Sequence, residues 1–240
     1  MSIFKLTVLA FVVVSTVCVY LFMRPYWVPL YHKVAGKQSV SDVIREYGAT
    51  SEARLRPFFQ QAGVQYPPKS VTLLAIKGTD QLELWASNDD NPVFIRTYPV
   101  LAASGILGPK LQEGDEQVPE GIYSLEYLNP NSAFHLSMKL NYPNDFDLIH
   151  AHAEGREAPG TNIFIHGKAM SVGCLAMGDE VIEELFVLTA KIGKESVKVA
   201  IAPIDPRQHN ILPLAHGKPK WVSELYTNIT DYFSRYQHSS

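Results

Sequence analysis

The sequence predicts an α+β fold that is mainly β, in which a sandwich-like core of short strands carries flanking helices. Three observations support this prediction. Short strand-like runs separated by turn residues dominate residues 71–166. Helical periodicity appears on both sides of them, at residues 40–62 and after residue 178. The 240 residues are 46% hydrophobic and 19% charged, which is enough apolar material for one core and excludes a disordered or fibrous chain.

The first predicted element of the body is a helix over residues 40–62, which Pro57 is expected to kink. Tyr66-Pro67-Pro68 then ends the helical region, and strand-like alternation begins. Many short strands at this spacing are typical of a sandwich or barrel-like core. The strand candidates lie at residues 71–76, 81–85, 93–100, 121–127, 133–140 and 162–166.

Helical periodicity returns after the last of these strands. Asp179 is predicted to be the N-cap of a helix that Gly193 ends, because the residues between them form one apolar face. A strand is expected at residues 196–202. The stretch 218–236 places aromatic and aliphatic residues at helical spacing, which favours an amphipathic helix packed on the core.

The N-terminal segment differs from the rest of the chain. Residues 6–23 form an apolar run of eighteen residues, with Lys5 before it and Arg24 after it. That length is at the lower end for a membrane span and at the upper end for the apolar part of a signal peptide. Tyr26 and Trp27 suit a membrane interface. An uncleaved anchor is favoured over a removed signal peptide, and both interpretations place the body outside the cytoplasm.

The residues that are candidates for catalysis are concentrated around one thiol. Cys174 is the only cysteine outside the apolar segment, which contains Cys18. An unpaired thiol in an exported protein is unusual, because cysteines in oxidising compartments are mostly disulfide-bonded. His166 ends a predicted strand eight residues earlier, and Ser171 and Gly173 form a tight turn before the thiol. Since a thiol attacks as the thiolate and an imidazole is its usual base, the pattern favours nucleophilic catalysis over an inert buried cysteine.

The string from His166 to Cys174 resembles the signature of the L,D-transpeptidase (YkuD-type) family of peptidoglycan enzymes. The resemblance extends over residues 53–203. It is strongest to a branch that includes a periplasmic murein amidase, which detaches a lipoprotein from the wall. The other segments that carry it are Tyr66-Pro67-Pro68-Lys69, Gly108-Pro109-Lys110, Glu113-Gly114-Asp115, Pro119-Glu120-Gly121 and Asn141-Tyr142-Pro143-Asn144.

The resemblance implies a role for each residue of the string. Cys174 would attack the carbonyl of meso-diaminopimelate to form a thioester, with His166 as its base and the Gly167 carbonyl orienting the imidazole. The amides of Gly173 and Cys174 are candidates for the oxyanion hole, and Ser171 would support the turn. An amine or water then resolves the thioester. The resemblance implies peptidoglycan stem peptides as substrate and no cofactor.

Two departures from the family pattern limit what can be transferred. Many members have an arginine two residues after the cysteine, where this chain has Ala176. Many also have a histidine two residues before it, where this chain has Val172. Recognition of the acyl donor therefore cannot be copied from the cross-linking members. Lys110 is a candidate for contacting a substrate carboxylate, and Tyr142 for a wall of the cleft.

Four segments are predicted along the chain, with a periplasmic body. We expect the first segment to contact the inner membrane, and a wall-linked lipoprotein is a candidate partner. The net charge of -3, with no long run of one sign, gives no indication of a nucleic-acid partner. The segments are a membrane anchor or signal segment (1–24), a helical extension (25–69), an L,D-transpeptidase-like catalytic domain (70–205) and a C-terminal helical extension (206–240).

Two alternatives to cysteine catalysis remain open at this point. His150 and His152 would share one face of a strand, and with His166 and Cys174 they would make a zinc site for a metal-dependent hydrolase. The other alternative is a peptidoglycan-binding module with an idle thiol. We predict that no metal is bound. Chelator sensitivity separates the zinc enzyme from the other two, and thiol reactivity separates the binding module from the cysteine enzyme.

Overall fold

The computed structural model describes residues 3–89 and 91–238. Six α-helices lie in this part of the chain, which are α1 (Ile3–Phe22), α2 (Arg24–Ala35), α3 (Val40–Gln61), α4 (Asp145–Ala153), α5 (Asp179–Ile192) and α6 (Val222–Phe233). The nine strands are β1 (Ser70–Ile76), β2 (Gln81–Ser87), β3 (Val93–Pro99), β4 (Ala102–Ala103), β5 (Gly121–Ser132), β6 (His135–Leu140), β7 (Phe164–His166), β8 (Leu175–Ala176) and β9 (Val197–Ala202).

All nine strands belong to one curled sheet, in the order β3-β2-β1-β9-β5-β6-β7-β8-β4. The pairs β1–β9 and β7–β8 are parallel, and the others are antiparallel. The long strand β5 joins the two halves. Its residues up to Ser124 pair with β9, and from Leu125 onward it pairs with β6 through an irregular register. A strand that changes partners in this way bends the sheet around its own core.

The interior has two apolar clusters, one on each face of β1. Val71, Leu73 and Ala75 enter the cluster that fills the curled sheet and continues under α3 and α5. Leu74 and Ile76 enter the second cluster, which α6 covers. Because successive side chains point to opposite faces, a strand that is buried on both sides appears as a continuous apolar run. This explains why residues 71–76 show little polar alternation.

A buried carboxylate joins α5 to α3 and to the edge of the sheet. Glu184 accepts hydrogen bonds from the Tyr98 hydroxyl (2.8 Å) and from Nε of Arg54 (2.8 Å), and it forms an ion pair with Arg96 (3.3 Å). Charged groups in an interior are tolerated when every one of them has such a partner. The network fixes α5, which follows directly after the segment that carries Cys174.

The α+β class predicted from the sequence is confirmed, and α3, α5, α6 and β9 lie within a few residues of their predicted positions. Two local predictions were wrong. The polar segment that contains His150 and His152 is the helix α4, which begins at a capping box formed by Asn144 and Asp147. Asp179 is the first residue of α5 and not its cap, because its carboxylate accepts a hydrogen bond from the Lys168 amide (2.9 Å).

The N-terminal segment forms two helices with a sharp bend between them. Among the described residues, no single helix is long and apolar enough to cross a membrane. Stretches Lys5–Tyr20 and Arg24–Val34 meet the length and hydropathy requirements only as a pair, and they are bent by 77°.

The Glu184 network predicts a large loss of stability on truncation. We expect Glu184→Ala to lower the free energy of unfolding by about 3 kcal/mol, because Arg96 would lose its counter-charge and the buried Tyr98 hydroxyl its acceptor, although Arg54 would keep Glu183. Urea denaturation measures this change, with Glu180→Ala on the same helix as the control, since the side chain of Glu180 is exposed. A loss below about 1 kcal/mol, typical of a surface ion pair, would contradict the prediction.

Candidate active site

The register between β7 and β8 brings the two predicted catalytic side chains to one face of the sheet. Ile165 pairs with Leu175 and His166 with Ala176, and Cys174 immediately precedes β8. Ile165 and Leu175 point into the core, where both are buried. By alternation, His166 and Cys174 point to the opposite face. That face lines a cavity.

The cavity has a volume of about 340 Å³ and lies between the β5–β6 turn, β7 and the loop before β8. Both His166 and Cys174 are in its wall. Its other lining residues are Asn129, Ser132, Ala133, Phe134, Ser137, Asn162, Phe164, Met170, Ser171 and Val172. A concave and mostly apolar site with a few polar groups is the usual setting for a small substrate.

The His166 imidazole is buried and favours its neutral form. Its side chain is only 3% exposed, and Nδ1 lies 2.6 Å from the Gly167 carbonyl oxygen. Since a carbonyl oxygen can only accept, Nδ1 carries the proton and Nε2 is free to take another. Burial lowers the pKa of His166 below its ordinary value, against the opposing effect of the Gly167 carbonyl. The ring also packs on Phe134, with centroids 4.8 Å apart.

Close packing around Gly167 leaves no room for a side chain at this position. A Cβ at this position would lie 2.7 Å from the carbonyl oxygen of Phe134 and 3.1 Å from Cβ of His135. Its amide donates to the Leu136 carbonyl (3.1 Å), which holds the end of β7 against β6. Glycine therefore allows the backbone beside His166 to approach the wall of the cavity.

The Cys174 thiol is half-buried and protonated in its resting environment. Sγ lies 3.8 Å from the Asn162 carbonyl oxygen, to which a thiol can donate. Burial raises the pKa of Cys174, and a backbone hydrogen bond from Phe164 and the charge of Lys110 act in the opposite direction. Because burial dominates, the thiol needs a base at the moment of attack. His166, in the same cavity, is suitable for that task.

The turn before the thiol is fixed by two serine hydroxyls. The Ser171 hydroxyl donates to the Cys174 carbonyl (2.6 Å) and accepts from the Cys174 amide (3.0 Å). The Gly173 amide donates to Oγ of Ser104 (2.5 Å), and that hydroxyl donates to the Glu116 carbonyl (2.7 Å). Gly173 has φ +85°, a conformation that favours glycine. Both amides predicted for the oxyanion hole therefore have hydroxyl partners in this state.

Lys110 and Tyr142 are not part of the cavity wall. The Lys110 ammonium is buried against Asp115 (2.5 Å) and the Gln112 carbonyl (2.9 Å). The buried Tyr142 hydroxyl donates to the Pro159 carbonyl (2.8 Å) and lies 3.2 Å from the Lys110 carbonyl. Lys110 thus influences the thiol through its charge, and Tyr142 holds loops together behind the site.

The two histidines of the zinc alternative have other contacts. His150 stacks on Trp221, with ring centroids 4.9 Å apart and an interplanar angle of 14°. His150 and His152 both lie in the last turn of α4, outside the Cys174 cavity. Within the described ranges, no group of three or more His, Cys, Asp or Glu side chains is arranged to hold a metal ion.

Several cavity residues were not found by sequence reasoning. Asn162 adopts a left-handed backbone conformation (φ 56°) beside the thiol, and Ser137 pairs with His166 across β6 and β7. Phe134, from the β5–β6 turn, covers the imidazole. None of them belongs to a motif, because strand pairing and not sequence proximity brings them to the site. The positive φ of Asn162 is typical of asparagine but has no distinctive sequence signal.

No family model matches the chain. A curated relative in two strains of Escherichia coli, K12 and O157:H7, is named "Putative L,D-transpeptidase YafK" and is 29% identical over 190 residues, which cover 77% of this chain and 75% of the relative. The chain resembles an L,D-transpeptidase. The resemblance predicted from the string around Cys174 is thus confirmed over most of the body.

Solved structures match at lower identity. The helical cell shape determining protein Pgp2 from Campylobacter jejuni matches with 17% identity and a TM-score of 0.48, covering 77% of this chain and 78% of that chain. Bd1075 from Bdellovibrio bacteriovorus matches with 23% identity and a TM-score of 0.41, covering 56% of this chain and 48% of that chain. L,D-transpeptidase 1 from Mycobacterium tuberculosis matches with 11% identity and a TM-score of 0.33, covering 55% and 62%.

The environment of the thiol predicts an unusual pH profile. In a Cys18→Ser background, we expect the rate of Cys174 alkylation by iodoacetamide to rise at higher pH than for a free cysteine, because burial raises the pKa of the thiol. Lys110→Met should move the profile further upward, since the lysine charge favours the thiolate. Lys168→Met, at an ammonium that is paired with Asp179, is the control. A Lys110→Met profile that coincides with the parent would show that the charge does not reach the sulfur.

Proposed function

We propose that the chain is a cysteine-dependent acyltransferase of the L,D-transpeptidase family that acts on peptidoglycan stem peptides. The observation that carries this proposal is the shared cavity of Cys174 and His166, in which Nε2 of the imidazole is free to accept a proton. The likeness to an L,D-transpeptidase over 77% of the chain supports the substrate class. In this proposal Cys174 is the nucleophile and His166 is the general base.

The first half of the reaction forms a thioester. Nε2 of His166 takes the proton from Sγ of Cys174 as the sulfur attacks the carbonyl carbon of diaminopimelate. The resulting tetrahedral oxyanion collapses, and the carbon–nitrogen bond breaks. The imidazolium returns the proton to the departing amine, so that the imidazole is neutral again and the acyl group is bound to sulfur.

The second half of the reaction transfers the acyl group. An incoming amine or water gives a proton to Nε2 and attacks the thioester, and the thiolate leaves and is protonated again. An amine gives transpeptidation, and water gives hydrolysis. The resemblance to the murein amidase branch favours hydrolysis that releases a wall-bound lipoprotein from its diaminopimelate.

The pKa shifts of His166 and Cys174 fit a mechanism in which the resting site holds a neutral imidazole and a neutral thiol. A pKa of His166 below its ordinary value keeps the imidazole unprotonated at neutral pH, so that it is ready to accept. A raised pKa of Cys174 keeps the thiol protonated until a substrate is present. Proton transfer then accompanies the attack and does not precede it.

The proposed setting is the periplasm of a bacterium. Residues 1–24 are proposed to hold the protein at the inner membrane, and residues 25–69 to form a helical extension. Residues 70–205 would form the catalytic domain and residues 206–240 the C-terminal helical extension. The apolar helix α1, whose described side chains are mostly exposed and apolar, supports the first of these assignments.

The nucleophile is tested by substitution. Cys174→Ala should leave the fold and the unfolding temperature close to the parent and abolish turnover, because no other described cysteine lies in the cavity. The assay incubates the protein with purified stem peptides, with and without a bound lipoprotein lysine, and follows both products and the mass of the intact protein. Adducts on the parent at the mass of an acyl group, and none on Cys174→Ala, are expected. Turnover by the variant near the parental rate would contradict the mechanism.

The base is tested without substrate turnover. His166→Ala should slow alkylation of Cys174 near neutral pH by about tenfold or more, because no positioned base would then take the thiol proton. His150→Ala, on α4 outside the cavity, is the matched control and should react at the parental rate. An unchanged alkylation rate in His166→Ala would exclude His166 as the activating base.

A further inference from the structure

Helix α2 exposes an apolar stripe, while its inward side carries both apolar and polar side chains. Tyr26, Leu30 and Val34 recur every four residues along its outer face, with exposed fractions of 74%, 62% and 86%. Val28 is buried, and Trp27, Arg24 and His32 are half-buried. A helix on the surface of a soluble domain usually presents polar side chains on its outer face. The outer face of α2 is therefore suited to an apolar environment.

The helix that precedes α2 indicates what that environment is. The described side chains of α1 are predominantly apolar and exposed, for example Phe11 at 72% and Val14 at 60%. The chain then bends by 77° into α2. If α1 enters a bilayer, α2 must run along the bilayer surface. Its tyrosines suit the level of the lipid headgroups, and Lys33 is exposed for contact with anionic lipids.

Both ends of α2 are attached to the rim of the catalytic cavity. At the start of α2, Nε of Arg24 donates to the Ala133 carbonyl (2.7 Å). After its end, Gln38 and Asn131 exchange two hydrogen bonds of 2.8 Å, one in each direction. Asn131 lies near the end of β5, and Ala133 lies in the β5–β6 turn and lines the cavity of Cys174.

The bend itself is stiffened by an aromatic and cationic cluster. The rings of Tyr20 and Trp27 stack with centroids 5.5 Å apart, and the Arg24 guanidinium lies 5.5 Å and 5.3 Å from their centroids. Cation–π contacts of this kind favour one orientation of the two helices. The angle between α1 and α2 and the contact of Arg24 with Ala133 are thus parts of one arrangement.

We propose that α2 is an interfacial helix, which binds the lipid bilayer surface through Tyr26, Leu30 and Val34 and holds the Cys174 cavity beside the membrane. The partner is a phospholipid surface, whose acyl boundary accepts the apolar stripe and whose headgroups meet Lys33. This surface goes beyond the proposed acyl transfer, because lipid contact is measured without turnover. Failure of one does not imply failure of the other.

Site-directed spin labelling tests the lipid contact. The full chain, with Cys18→Ser and Cys174→Ala, is reconstituted into vesicles of phosphatidylethanolamine and phosphatidylglycerol. Single labels are placed through Leu30→Cys, Val34→Cys or, as a control, Ile149→Cys on α4, where the native side chain is 65% exposed. At positions 30 and 34 we expect collisions with oxygen, which concentrates in the bilayer, to exceed collisions with a water-soluble nickel chelate. The label at 149 should show the reverse.

Two results would overturn the proposal. One is a predominance of nickel collisions at positions 30 and 34, as at 149, which would place α2 in water. The other is dipolar broadening between labels at position 30 without preferential oxygen collisions, which would show that a second copy of the chain covers the stripe.

The orientation of the cavity is tested with a label at its rim. Val172 lines the cavity and is 73% exposed, so Val172→Cys accepts a label. In vesicles that contain a nickel-chelating lipid, we expect the relaxation rate of this label to increase, and Arg24→Ala to reduce the increase at least twofold. Arg45→Ala, at an exposed arginine on α3, is the matched control and should retain the increase. An increase that Arg24→Ala leaves unchanged, or no increase in the parent, would overturn the proposed orientation.

Discussion

Because β7 and β8 run parallel with Ile165 opposite Leu175, His166 and Cys174 emerge on the same face of the sheet, with their neighbours buried on the other. A shift of this register by one residue would turn one of these two side chains into the core. The rest of the structure maintains the register. Strand β6 pairs with the edge of β7 that does not face β8, and β4 pairs with the other edge of β8. Helix α5 begins soon after β8, and Glu184 connects it to α3 and β3. The proposed chemistry therefore depends on strand pairing more than on the loop that separates the two residues in sequence.

The same burial acts on both members of the pair and stabilises the neutral form of each. It lowers the pKa of His166 and raises the pKa of Cys174, so that the resting site holds an imidazole and a thiol and not an ion pair. A neutral pair is less reactive toward small electrophiles than a thiolate–imidazolium pair, which suits the proposed role of an exported enzyme with an unpaired cysteine. In the proposed mechanism, a bound acyl donor has to provide the free energy for proton transfer. Each unit by which the two pKa values are separated adds about 1.4 kcal/mol to that requirement.

The sequence was informative where local rules determine structure. Alternation, capping and turn residues located most elements, and the string around Cys174 indicated both members of the predicted pair. Helix α4 was missed although its capping box, Asn144 and Asp147, is visible in the sequence, because alternating histidines were interpreted as a strand. The hydrogen bond between the Gly173 amide and the Ser104 hydroxyl could not be predicted, because tertiary packing brings together two positions that are 69 residues apart. The same is true of Phe134 over His166, and these long-range contacts complete the site.

The serine hydroxyls on the turn bear on how the proposed mechanism would stabilise an oxyanion. The amides of Gly173 and Cys174 are bonded to Ser104 and Ser171, yet each hydroxyl also donates to a carbonyl, of Glu116 and Cys174 respectively. If one of these amides turns toward the substrate, it loses its hydrogen bond to the serine hydroxyl, and the hydroxyl keeps its bond to the carbonyl. Because the lost bond joins two neutral groups, its loss costs about 1 kcal/mol. A neutral substrate carbonyl would do little more than replace the lost bond. The charged tetrahedral oxygen would gain a charge-assisted bond, which is about twice as strong. The exchange therefore favours the transition state over the bound substrate, and this difference is what accelerates a reaction.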